Sequence, residues 1–279
     1  MFEDNEARAS LWGALASLCL LFFSPASASN TSLDSLLCPN DQKTKALAVR
    51  HIIDGDTLIL ANGKHVRLIG INSPELGRDQ KPHQPLALEA RRELARIIEQ
   101  NGGRINLRFD REHQDRYGRQ LAHLFDDRGT SVEAILLTKG LATILPIPPN
   151  TWNMDCYSKI EEQARKAKRG VWALKHYQPI SKSTAFKAGY SIIRGRITRI
   201  GKSRRSIWLN LEQGIAVRID RKDLKFFDRY NPTQLRHRTV EARGWAYKRN
   251  QQWRVNIRHP YALTLISDPA DSTIDSTNK

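Results

Sequence analysis

Cysteine is scarce in this chain of 279 residues, which contains only three. No C-x-x-C pair and no Cys/His cluster occurs, so the sequence excludes a structural zinc site of the usual kind. The histidines offer no replacement, because their spacing is not that of metal ligands, and we expect them to have surface or packing roles. The histidines considered are His51, His65, His83, His113 and His123.

The chain also lacks a long hydrophobic run. Residues 11–23 are apolar over about a dozen positions, which suits a signal-peptide core and is short for a membrane span. The run is followed by Ala26-Ser27-Ala28, an A-x-A cleavage pattern, although residues 1–8 are acidic where a basic segment is expected. We expect cleavage after Ala28 and a periplasmic or secreted protein. A membrane-anchored chain with an uncleaved segment is the alternative.

Loss of the signal segment would remove Cys19 and leave two cysteines. An even number in an oxidising compartment predicts a disulfide between Cys38 and Cys156. Two unrelated free thiols are the alternative interpretation.

Acidic residues are in the minority, with 29 Asp and Glu against 45 Lys and Arg, which gives a net charge of +16. A basic excess of this size favours a polyanionic partner, either nucleic acid or an acidic membrane surface. It does not indicate a fold.

Strand, helix and turn patterns divide the chain into six segments and predict a mainly β, α+β protein. The order of three strands, a helix, two strands and two helices predicts a five-stranded OB-type barrel with three helices, followed by a second small OB-like barrel. The predicted segments are a signal peptide (1–28), a leader (29–45), the first barrel domain (46–176), a linker (177–188), a basic OB-like nucleic-acid-binding domain (189–266) and a disordered tail (267–279).

Within the first barrel, the apolar run from residue 65 to 71 is predicted as one strand, and a charged helix is predicted from about 155 to 168. The second barrel is predicted as three strands, a helix over 221–230 and two further strands.

The second barrel concentrates the charge, since residues 186–265 hold 19 Lys and Arg against 5 Asp and Glu. Aromatic residues interleaved with arginines are typical of a platform for single-stranded nucleic acid. Core packing is the alternative for these rings, and it is favoured for Trp208 and Trp245. The aromatic residues are Tyr190, Trp208, Trp245, Tyr247 and Trp253.

Two motifs carry the chemistry. The first, Ile53-Asp54-Gly55-Asp56-Thr57, ends one apolar run, and the second, residues 67–75 (RLIGINSPE), opens with an arginine and ends at a Pro-Glu pair. Neighbouring strands would bring these carboxylates and the guanidinium together. Hydrolysis of a phosphodiester needs oxygen ligands for a hard metal, a group that activates water and fixed cations for the developing charge. Each motif alone is more simply read as an ordinary turn or a strand-edge charge, and only their combination favours a site.

The order and spacing of four pieces make residues 46–172 resemble the staphylococcal nuclease family of thermonuclease-like domains. The pieces are IDGDT at 53–57, RLIGINSPE at 67–75, DRYGR at 115–119 and KGLA at 139–142. The C-terminal part resembles, less specifically, a basic OB-type module that follows some bacterial members.

The resemblance implies a calcium-dependent phosphodiesterase that acts on DNA and RNA and leaves 3′-phosphate ends. By position, Asp56 would be a direct metal ligand and Asp54 would support the site. Asn72 and the backbone carbonyl of Ser73 would complete the protein's share of the metal shell.

The same resemblance implies roles at the substrate. Glu75 would activate or orient the attacking water, while Arg67 and Arg119 would hold the phosphate and stabilise the transition state. Arg116 and Tyr117 match positions that contact a terminal phosphate of the bound nucleotide.

This chain departs from the family pattern in two places. Asn72 stands where the type member has a second metal-binding aspartate, so we expect weaker calcium binding. The tyrosines expected around the base are replaced within residues 145–148 (LPIP), so we expect weaker base stacking there, which the basic barrel would offset by holding the strand.

The function expected is therefore an exported, calcium-dependent nuclease, with other divalent cations as alternatives, acting on DNA and also RNA. No stable protein partner is implied, and a monomer is expected. The alternative is a catalytically weak or inactive nucleic-acid-binding protein of the same fold, which Asn72 favours to a modest degree. A basic structural protein of the cell envelope would explain the charge but not the two motifs.

Overall fold

A computed structural model describes residues 37–42, 44–77, 79–181 and 186–266. The predicted signal peptide, Cys19 and the predicted tail lie outside these ranges, as do most of the predicted leader and part of the predicted linker. Among the residues that are described, no helix is both long and apolar enough to cross a membrane.

The first part of the chain forms strands and helices close to those predicted. In chain order they are β1 (Ala46–Ile52), β2 (Thr57–Leu60), β3 (His65–Leu68), β4 (Ile71–Asn72), α1 (Ala87–Gln100), β5 (Arg104–Gln114), β6 (Gln120–Phe125), α2 (Val132–Thr138), β7 (Thr143–Ile144) and α3 (Met154–Lys166).

Five of these strands close into a barrel in the order β1-β2-β3-β6-β5. Only β3 and β6 run parallel, and the other neighbours are antiparallel. Apolar side chains of the strands and of α1, α2 and α3 form one core, in which Leu58, Leu68 and Leu124 are fully buried. The predicted five-stranded barrel with three helices is confirmed.

The single strand predicted over 65–71 is wrong. The barrel strand β3 stops at Leu68, and Gly70 adopts φ +81°, a left-handed conformation that favours glycine. After this turn, β4 leaves the barrel and pairs with β7, so that Asn72 lies opposite Thr143. The break turns Asn72 away from the barrel sheet and towards the site described below.

The second part of the chain forms another barrel. Its strands are β8 (Gly189–Lys202), β9 (Ser206–Leu211), β10 (Ile215–Asp220), β11 (Thr239–Arg249), β12 (Gln252–Ile257) and β13 (Leu263–Ile266). The pairings β8–β9, β9–β10, β10–β12, β12–β11 and β11–β8 close a ring of five strands, in which only β10 and β12 run parallel. This is the same strand order as in the first barrel, and it confirms the predicted second barrel.

Two details of the second barrel differ from prediction. The helix predicted over 221–230 is instead a 3-10 turn, Arg221–Phe226, followed by a second short 3-10 turn, Pro232–Gln234. Strand β13 was not predicted and extends the sheet beside β11. The polar, Pro-containing connection offers too few apolar residues at helical spacing to support a full helix.

Helix α3 joins the two barrels. Beside it lies a small apolar cluster, and around that cluster lie ion pairs between the barrels. Arg165 of α3 bonds Glu241 of β11 at 2.5 and 2.8 Å, and Glu161 of α3 pairs with Arg243 of the same strand. The apolar cluster comprises Ala164, Val171, Trp172, Tyr177 and Ile192.

Tyr177 belongs to the predicted linker, which therefore packs against both barrels at its first residue.

The predicted disulfide between Cys38 and Cys156 is confirmed, with a Cα–Cα distance of 5.8 Å. Cys38 is buried at the edge of the first core, and Cys156 lies in α3. The bond closes a loop over a sequence separation of 118 residues. It therefore fastens the N-terminal segment to the helix that joins the barrels.

We expect reduction of this disulfide to lower the free energy of unfolding by about 2–4 kcal/mol, because the bond restricts the unfolded chain over a long loop. Urea denaturation followed by circular dichroism, with and without dithiothreitol, measures the change. The double variant Cys38→Ser/Cys156→Ser should match the reduced wild-type chain and should not respond to dithiothreitol. Equal midpoints for the oxidised and reduced wild-type chain would contradict this expectation.

Candidate active site

The turn between β1 and β2 places two carboxylates at one end of the first barrel. The backbone N–H groups of Ile53 and Asp54 donate to the carbonyl of Thr57, at 2.9 and 3.3 Å, which closes the turn. A Cβ on Gly55 would lie 2.5 Å from Cβ of Ala90 and 2.8 Å from Cβ of Ser73. Only glycine therefore allows the turn to pack this closely against α1 and the chain after β4.

Asp56 is the most enclosed acidic residue of the site, with 1% of its surface exposed. Its Oδ2 accepts a hydrogen bond from the backbone N–H of Ser73 at 2.7 Å and lies 3.1 Å from Nη2 of Arg67. Its Oδ1 accepts from the Thr57 hydroxyl at 3.1 Å. These partners compensate the burial of the charge and fix the carboxylate in one orientation.

Asp54 lies beside Asp56 and is also buried. Its Oδ1 accepts the backbone N–H of Asp56 at 3.0 Å. Burial, and after it the neighbouring negative charge of Asp56, raise the pKa of Asp54 to about 7. The buried turn thus holds two carboxylates, and Arg67 is the cation next to them.

Strand pairing places Arg67 next to these carboxylates. In the β2–β3 ladder Arg67 lies opposite Thr57, one residue after Asp56. Its Nη1 donates to the carbonyl of Leu68 at 2.6 Å and its Nη2 to that of Ile71 at 3.0 Å. The guanidinium is therefore held from two sides by the turn around Gly70.

Asn72 and Ser73 follow directly in β4 and the chain after it, and both are buried. Within the described part of the chain, the side-chain carboxamide of Asn72 takes part in no hydrogen bond, whereas the backbone carbonyl oxygen of Asn72 accepts from the Thr143 hydroxyl at 3.4 Å. Asn72 lines one of the openings described below, so its carboxamide is available to a ligand there.

Glu75 stands at the exposed rim of the site, on a loop tied back to itself. Its backbone N–H donates to Oε1 of Gln84 at 3.0 Å, and the N–H of Gln84 donates to the carbonyl of Glu75 at 3.0 Å. A further bond runs from the N–H of Gly77 to Nδ1 of His83. The loop thus fixes the backbone at Glu75 while its side chain lines the cavity.

The turn between β5 and β6 supplies the remaining cations. Arg119 immediately precedes β6, which runs parallel to β3, so Arg119 and Arg67 come to the same end of the barrel. Nε of Arg119 donates to Oδ2 of Asp115 at 2.8 Å. Burial raises the pKa of Asp115, but the hydrogen bonds from Arg119 and from the backbone of the turn outweigh burial, so this pKa lies below its ordinary value. Asp115 therefore stays ionised and holds Arg119 in place.

Tyr117 is 68% exposed at the tip of this turn. The guanidinium carbon of Arg116 lies 4.7 Å from its ring centroid, and that of Arg119 lies 5.6 Å from it. Nη2 of Arg116 also lies 2.5 Å from the Tyr117 hydroxyl. The turn thus presents two cations around one aromatic ring.

These residues surround two openings whose linings share Arg67, Glu75, Tyr117 and Arg119. The first, called here the site cavity, has a volume of about 280 Å³ and is lined by Ile53, Asp54, Asp56, Thr57, His65, Arg67, Glu75, Tyr117 and Arg119. The second, called here the long groove, has a volume of about 750 Å³, and its lining includes Arg67, Asn72, Glu75, Arg116, Tyr117, Arg119, Leu145, Ile147, Trp245 and Arg258. The structure therefore brings together the side chains singled out in the sequence, with Ser73 buried behind them.

Sequence reasoning missed several residues of these openings. His65 was assigned no role, yet it lines the site cavity, and Thr57 bonds to Asp56. The assignment of Trp245 to the core is wrong, because 47% of it is exposed in the long groove. The hydroxyl of Thr57 could have been noticed within the first motif. No sequence signal places Trp245 or Arg258, since these residues reach the groove only through the packing of one barrel on the other.

The donor set at this site consists of oxygen atoms. In the part of the chain that the structure describes, no group of three or more His, Cys, Asp or Glu is arranged to hold a metal by itself. A metal here would have to use the amide of Asn72 and backbone oxygen as well as carboxylate. Such a mixed oxygen set fits a hard cation and does not fit zinc or copper.

Comparison with known proteins agrees with this arrangement. The family described as "Staphylococcal nuclease homologue" matches residues 65–174, which run from β3 to the end of the first barrel domain. The second barrel, and the turn that carries Asp54 and Asp56, lie outside this match.

Individual relatives extend the similarity. The chain is 31% identical to a thermonuclease of Staphylococcus intermedius over 136 residues, which is 47% of this chain and 79% of the relative. It is 32% identical to endonuclease YncB of Bacillus subtilis over 143 residues, 50% of this chain and 66% of the relative. It is 34% identical to the SPbeta prophage-derived endonuclease YokF of Bacillus subtilis over 130 residues, 45% of this chain and 43% of the relative. The chain thus spans just under two thirds of one Bacillus relative and less than half of the other. By its identity to the thermonuclease and the share of it that is covered, the chain belongs to the staphylococcal nuclease family.

Proposed function

We propose that this protein is an exported, metal-dependent nuclease that hydrolyses phosphodiester bonds of DNA, and also of RNA, and leaves 3′-phosphate ends. The observation that carries the proposal is the site cavity, where Asp56, Arg67, Glu75 and Arg119 surround one opening. A binding module has no need of carboxylates facing a phosphate. The names of the relatives, thermonuclease and endonuclease, support the same activity.

The residues present fit a calcium ion, which we propose as the metal. Asp56 and Asn72 would hold it with side-chain oxygens, Ser73 with its backbone carbonyl, and Asp54 would support them. The metal, when bound, would neutralise the buried carboxylates and polarise the phosphate. Because Asn72 contributes no charge, the site should bind calcium weakly compared with a site of two aspartates.

The chain's own groups account for the reaction. Glu75, held at the rim by the bonds of its loop to Gln84, would take a proton from the attacking water. As the water oxygen adds to phosphorus, the bond to the 5′ oxygen breaks, and the phosphate remains on the 3′ side. That 5′ oxygen takes up a proton from solvent water, and the proton on Glu75 passes to solvent, so no net proton remains on the enzyme.

Two arginines would stabilise the extra negative charge. The guanidinium groups of Arg67 and Arg119 are fixed before substrate binds, by backbone carbonyls and by Asp115. Fixed cations need no reorganisation during the reaction, and each typically contributes about 2–4 kcal/mol to the transition state. Arg116 and Tyr117, exposed at the edge of the cavity, would contact a terminal phosphate.

The second barrel would bind the nucleic acid strand. It carries most of the chain's net charge, because residues 186–265 hold 19 Lys and Arg against 5 Asp and Glu, and a nucleic acid backbone is the polyanion that such a surface attracts. Its fold, a five-stranded OB-type ring, is one that often binds oligonucleotides. Export is supported by the disulfide, which is typical of an oxidising compartment.

We expect Asn72→Asp to raise calcium affinity by about tenfold, because it adds a formal charge to the ligand set. Without calcium, the same change places a third carboxylate beside Asp54 and Asp56, so the metal-free protein should melt at a lower temperature. Isothermal titration calorimetry gives the affinity, and thermal melting with and without calcium gives the stability.

Asn62→Asp is the matched control, because it is the same substitution at an exposed position in the β2–β3 hairpin. It should leave both quantities as in the wild-type chain. An unchanged calcium affinity in Asn72→Asp would remove Asn72 from the proposed ligand set.

The alternative is a nucleic-acid-binding protein of the same fold with little or no activity. Asn72 favours it, since the loss of a ligand charge weakens the metal site. The two functions differ in their products. Incubation of end-labelled single-stranded DNA and RNA with the full chain and calcium should give shortened strands whose ends respond to a 3′-phosphatase. Strands that are bound but stay intact would favour the alternative, and 5′-phosphate ends would contradict the proposed chemistry.

A further inference from the structure

The long groove leads from the proposed reaction site to the second barrel. Arg67, Asn72 and Glu75 line it at one end, and Trp245 and Arg258 line it from β11 and from the residue after β12. Both barrels therefore build its walls. A strand that places its phosphate in the site cavity has this groove as a continuous path to the second barrel.

The groove collects exposed apolar surface. Of the five large hydrophobic residues that are exposed in the described ranges, three line this groove, namely Tyr117, Ile147 and Trp245. Exposed apolar side chains that cluster in a concave site usually mark a contact with a ligand. Cationic side chains from the same walls, including Arg116 and Arg258, indicate a ligand that is both anionic and aromatic, as a nucleic acid strand is.

Trp245 is held in a defined position. The Tyr190 ring, on the neighbouring strand β8, contacts it edge-on with a centroid distance of 5.7 Å. Two residues earlier in β11, Arg243 forms the buried ion pair with Glu161 of α3. The strand that carries Trp245 is therefore anchored to the first barrel, and the exposed part of the indole can serve as a preformed surface.

Arg258 is positioned in a similar way. Its Nε and Nη2 donate to the buried carboxylate of Asp223, at 3.2 and 3.4 Å. Its side chain is nevertheless 40% exposed. Asp223 thus orients the guanidinium while part of it remains accessible from the groove.

We propose that Trp245, supplied by the second barrel, stacks on the base of a nucleotide that flanks the scissile phosphate, and that Arg258 contacts the adjoining backbone phosphate. This assignment rests on the proposed nuclease function, because it takes the site cavity as the place of cleavage. Leu145 and Ile147 also line the groove and present no aromatic ring, and Tyr117 is the aromatic residue that the first barrel contributes to its lining. Trp245 adds a flat surface from the second barrel, and it should accept any base, since every base has a π face.

The test uses the full chain with Trp245→Ala and Trp245→Phe. In an otherwise wild-type background, Trp245→Ala should raise the KM for a single-stranded oligonucleotide by roughly 5- to 100-fold with little change in kcat. Trp245→Phe should restore most of the loss. Leu265→Ala, a second-barrel residue that is exposed outside the groove, is the control and should behave as wild type.

A second arm measures binding alone, by fluorescence anisotropy in the Glu75→Gln background, where cleavage should be slow enough for binding to be measured first. The oligonucleotides each carry one abasic nucleotide, moved along the strand. With Trp245 present, one flanking position should lose affinity when its base is removed. With Trp245→Ala, removal of that same base should cost nothing further, whereas a merely structural role would make the two losses add.

The outcomes separate this assignment from the nuclease function itself. Cleavage with a normal KM in Trp245→Ala and an unchanged abasic profile would overturn the assignment and leave the nuclease function intact. A wild-type chain that never cleaves, but loses affinity at one abasic position only when Trp245 is present, would overturn the function and support the assignment. A loss in Trp208→Ala without any in Trp245→Ala would place the strand on the surface around Trp208, outside the long groove, and overturn the assignment.

Discussion

Substitution of Glu75 by glutamine is expected to lower kcat for oligonucleotide cleavage by about 10²- to 10⁴-fold, the usual contribution of a positioned general base. Glutamine has the size of glutamate but cannot accept the proton of the attacking water. The bonds between the Glu75 backbone and Gln84 do not involve the side chain, so the loop should keep its shape. Strand affinity should therefore change little, and single-turnover rates together with anisotropy separate the two effects.

Glu99→Gln is the control for the loss of one negative charge, because Glu99 is exposed near the end of α1 and lines neither opening. It should retain wild-type rates. Full activity of Glu75→Gln would remove Glu75 from the mechanism, and a fall in affinity equal to the fall in rate would make it a binding residue instead.

Substitution of Arg243 by methionine is expected to lower the free energy of unfolding by about 3–5 kcal/mol, because it leaves Glu161 buried without its cation. The two side chains are 8% and 4% exposed. Glu161 also accepts the backbone N–H of Ile144 at 2.7 Å, and β7, which contains Ile144, pairs with the strand of Asn72. Damage at this ion pair should therefore reach the site cavity as well as the join between the barrels.

The double variant Arg243→Met/Glu161→Gln should recover most of the lost stability. Its glutamine oxygen can still accept from Ile144, while no charge remains buried. Arg249→Met removes a positive charge from the exposed end of the same strand and should change stability by less than about 0.5 kcal/mol. Urea denaturation of the wild-type chain and the three variants measures these changes in the free energy of unfolding. A loss below about 1 kcal/mol in Arg243→Met would show that the pair is not a structural link between the barrels.

The same ion pair bears on how the second barrel should be studied. Removal of the second barrel by truncation would leave Glu161 without Arg243 and would expose the apolar cluster around Trp172. A shortened chain would confuse loss of strand binding with loss of folding. Point variants on the groove, such as Trp245→Ala, avoid this problem.

Local sequence signals were sufficient to predict most of the fold. Alternating apolar residues and the Asn62-Gly63 turn predicted the first hairpin, and the helical spacing of Leu94, Ile97 and Ile98 predicted α1. Even the pairing of Cys38 with Cys156, over a separation of 118 residues, followed from the even number of cysteines left if the expected signal peptide is removed. These features depend on neighbours in sequence or on simple counting.

The same signals located much of the candidate site, because its parts lie at the ends of adjacent strands. Thr57 and Arg67 are opposite each other in the β2–β3 ladder. The spacing of the two motifs along a hairpin was therefore enough to predict that Arg67 lies close to the carboxylates of the first motif. The parallel pairing of β3 with β6, which brings Arg119 beside Arg67, is a property of the closed barrel and was not predicted. Arg119 was assigned to the site only through the family resemblance.

Two features of the candidate site could not be predicted from the sequence, because they depend on how elements meet. Trp245 was assigned to the core because large aromatic side chains are usually well buried, whereas 47% of it is exposed in the groove that both barrels line. The turn at Gly70 was also missed, because an apolar run does not reveal a left-handed residue that redirects the chain. Both errors concern how elements meet, not which elements form.

The most direct test of the proposed function is the single-turnover rate of cleavage of a labelled single-stranded oligonucleotide by the full chain, first with calcium and then with excess EDTA. The proposed site predicts rapid cleavage with calcium, a fall to the uncatalysed background in EDTA, and full recovery when calcium is restored. Cleavage that continues unchanged in EDTA would contradict a reaction that depends on a metal held by Asp56 and Asn72.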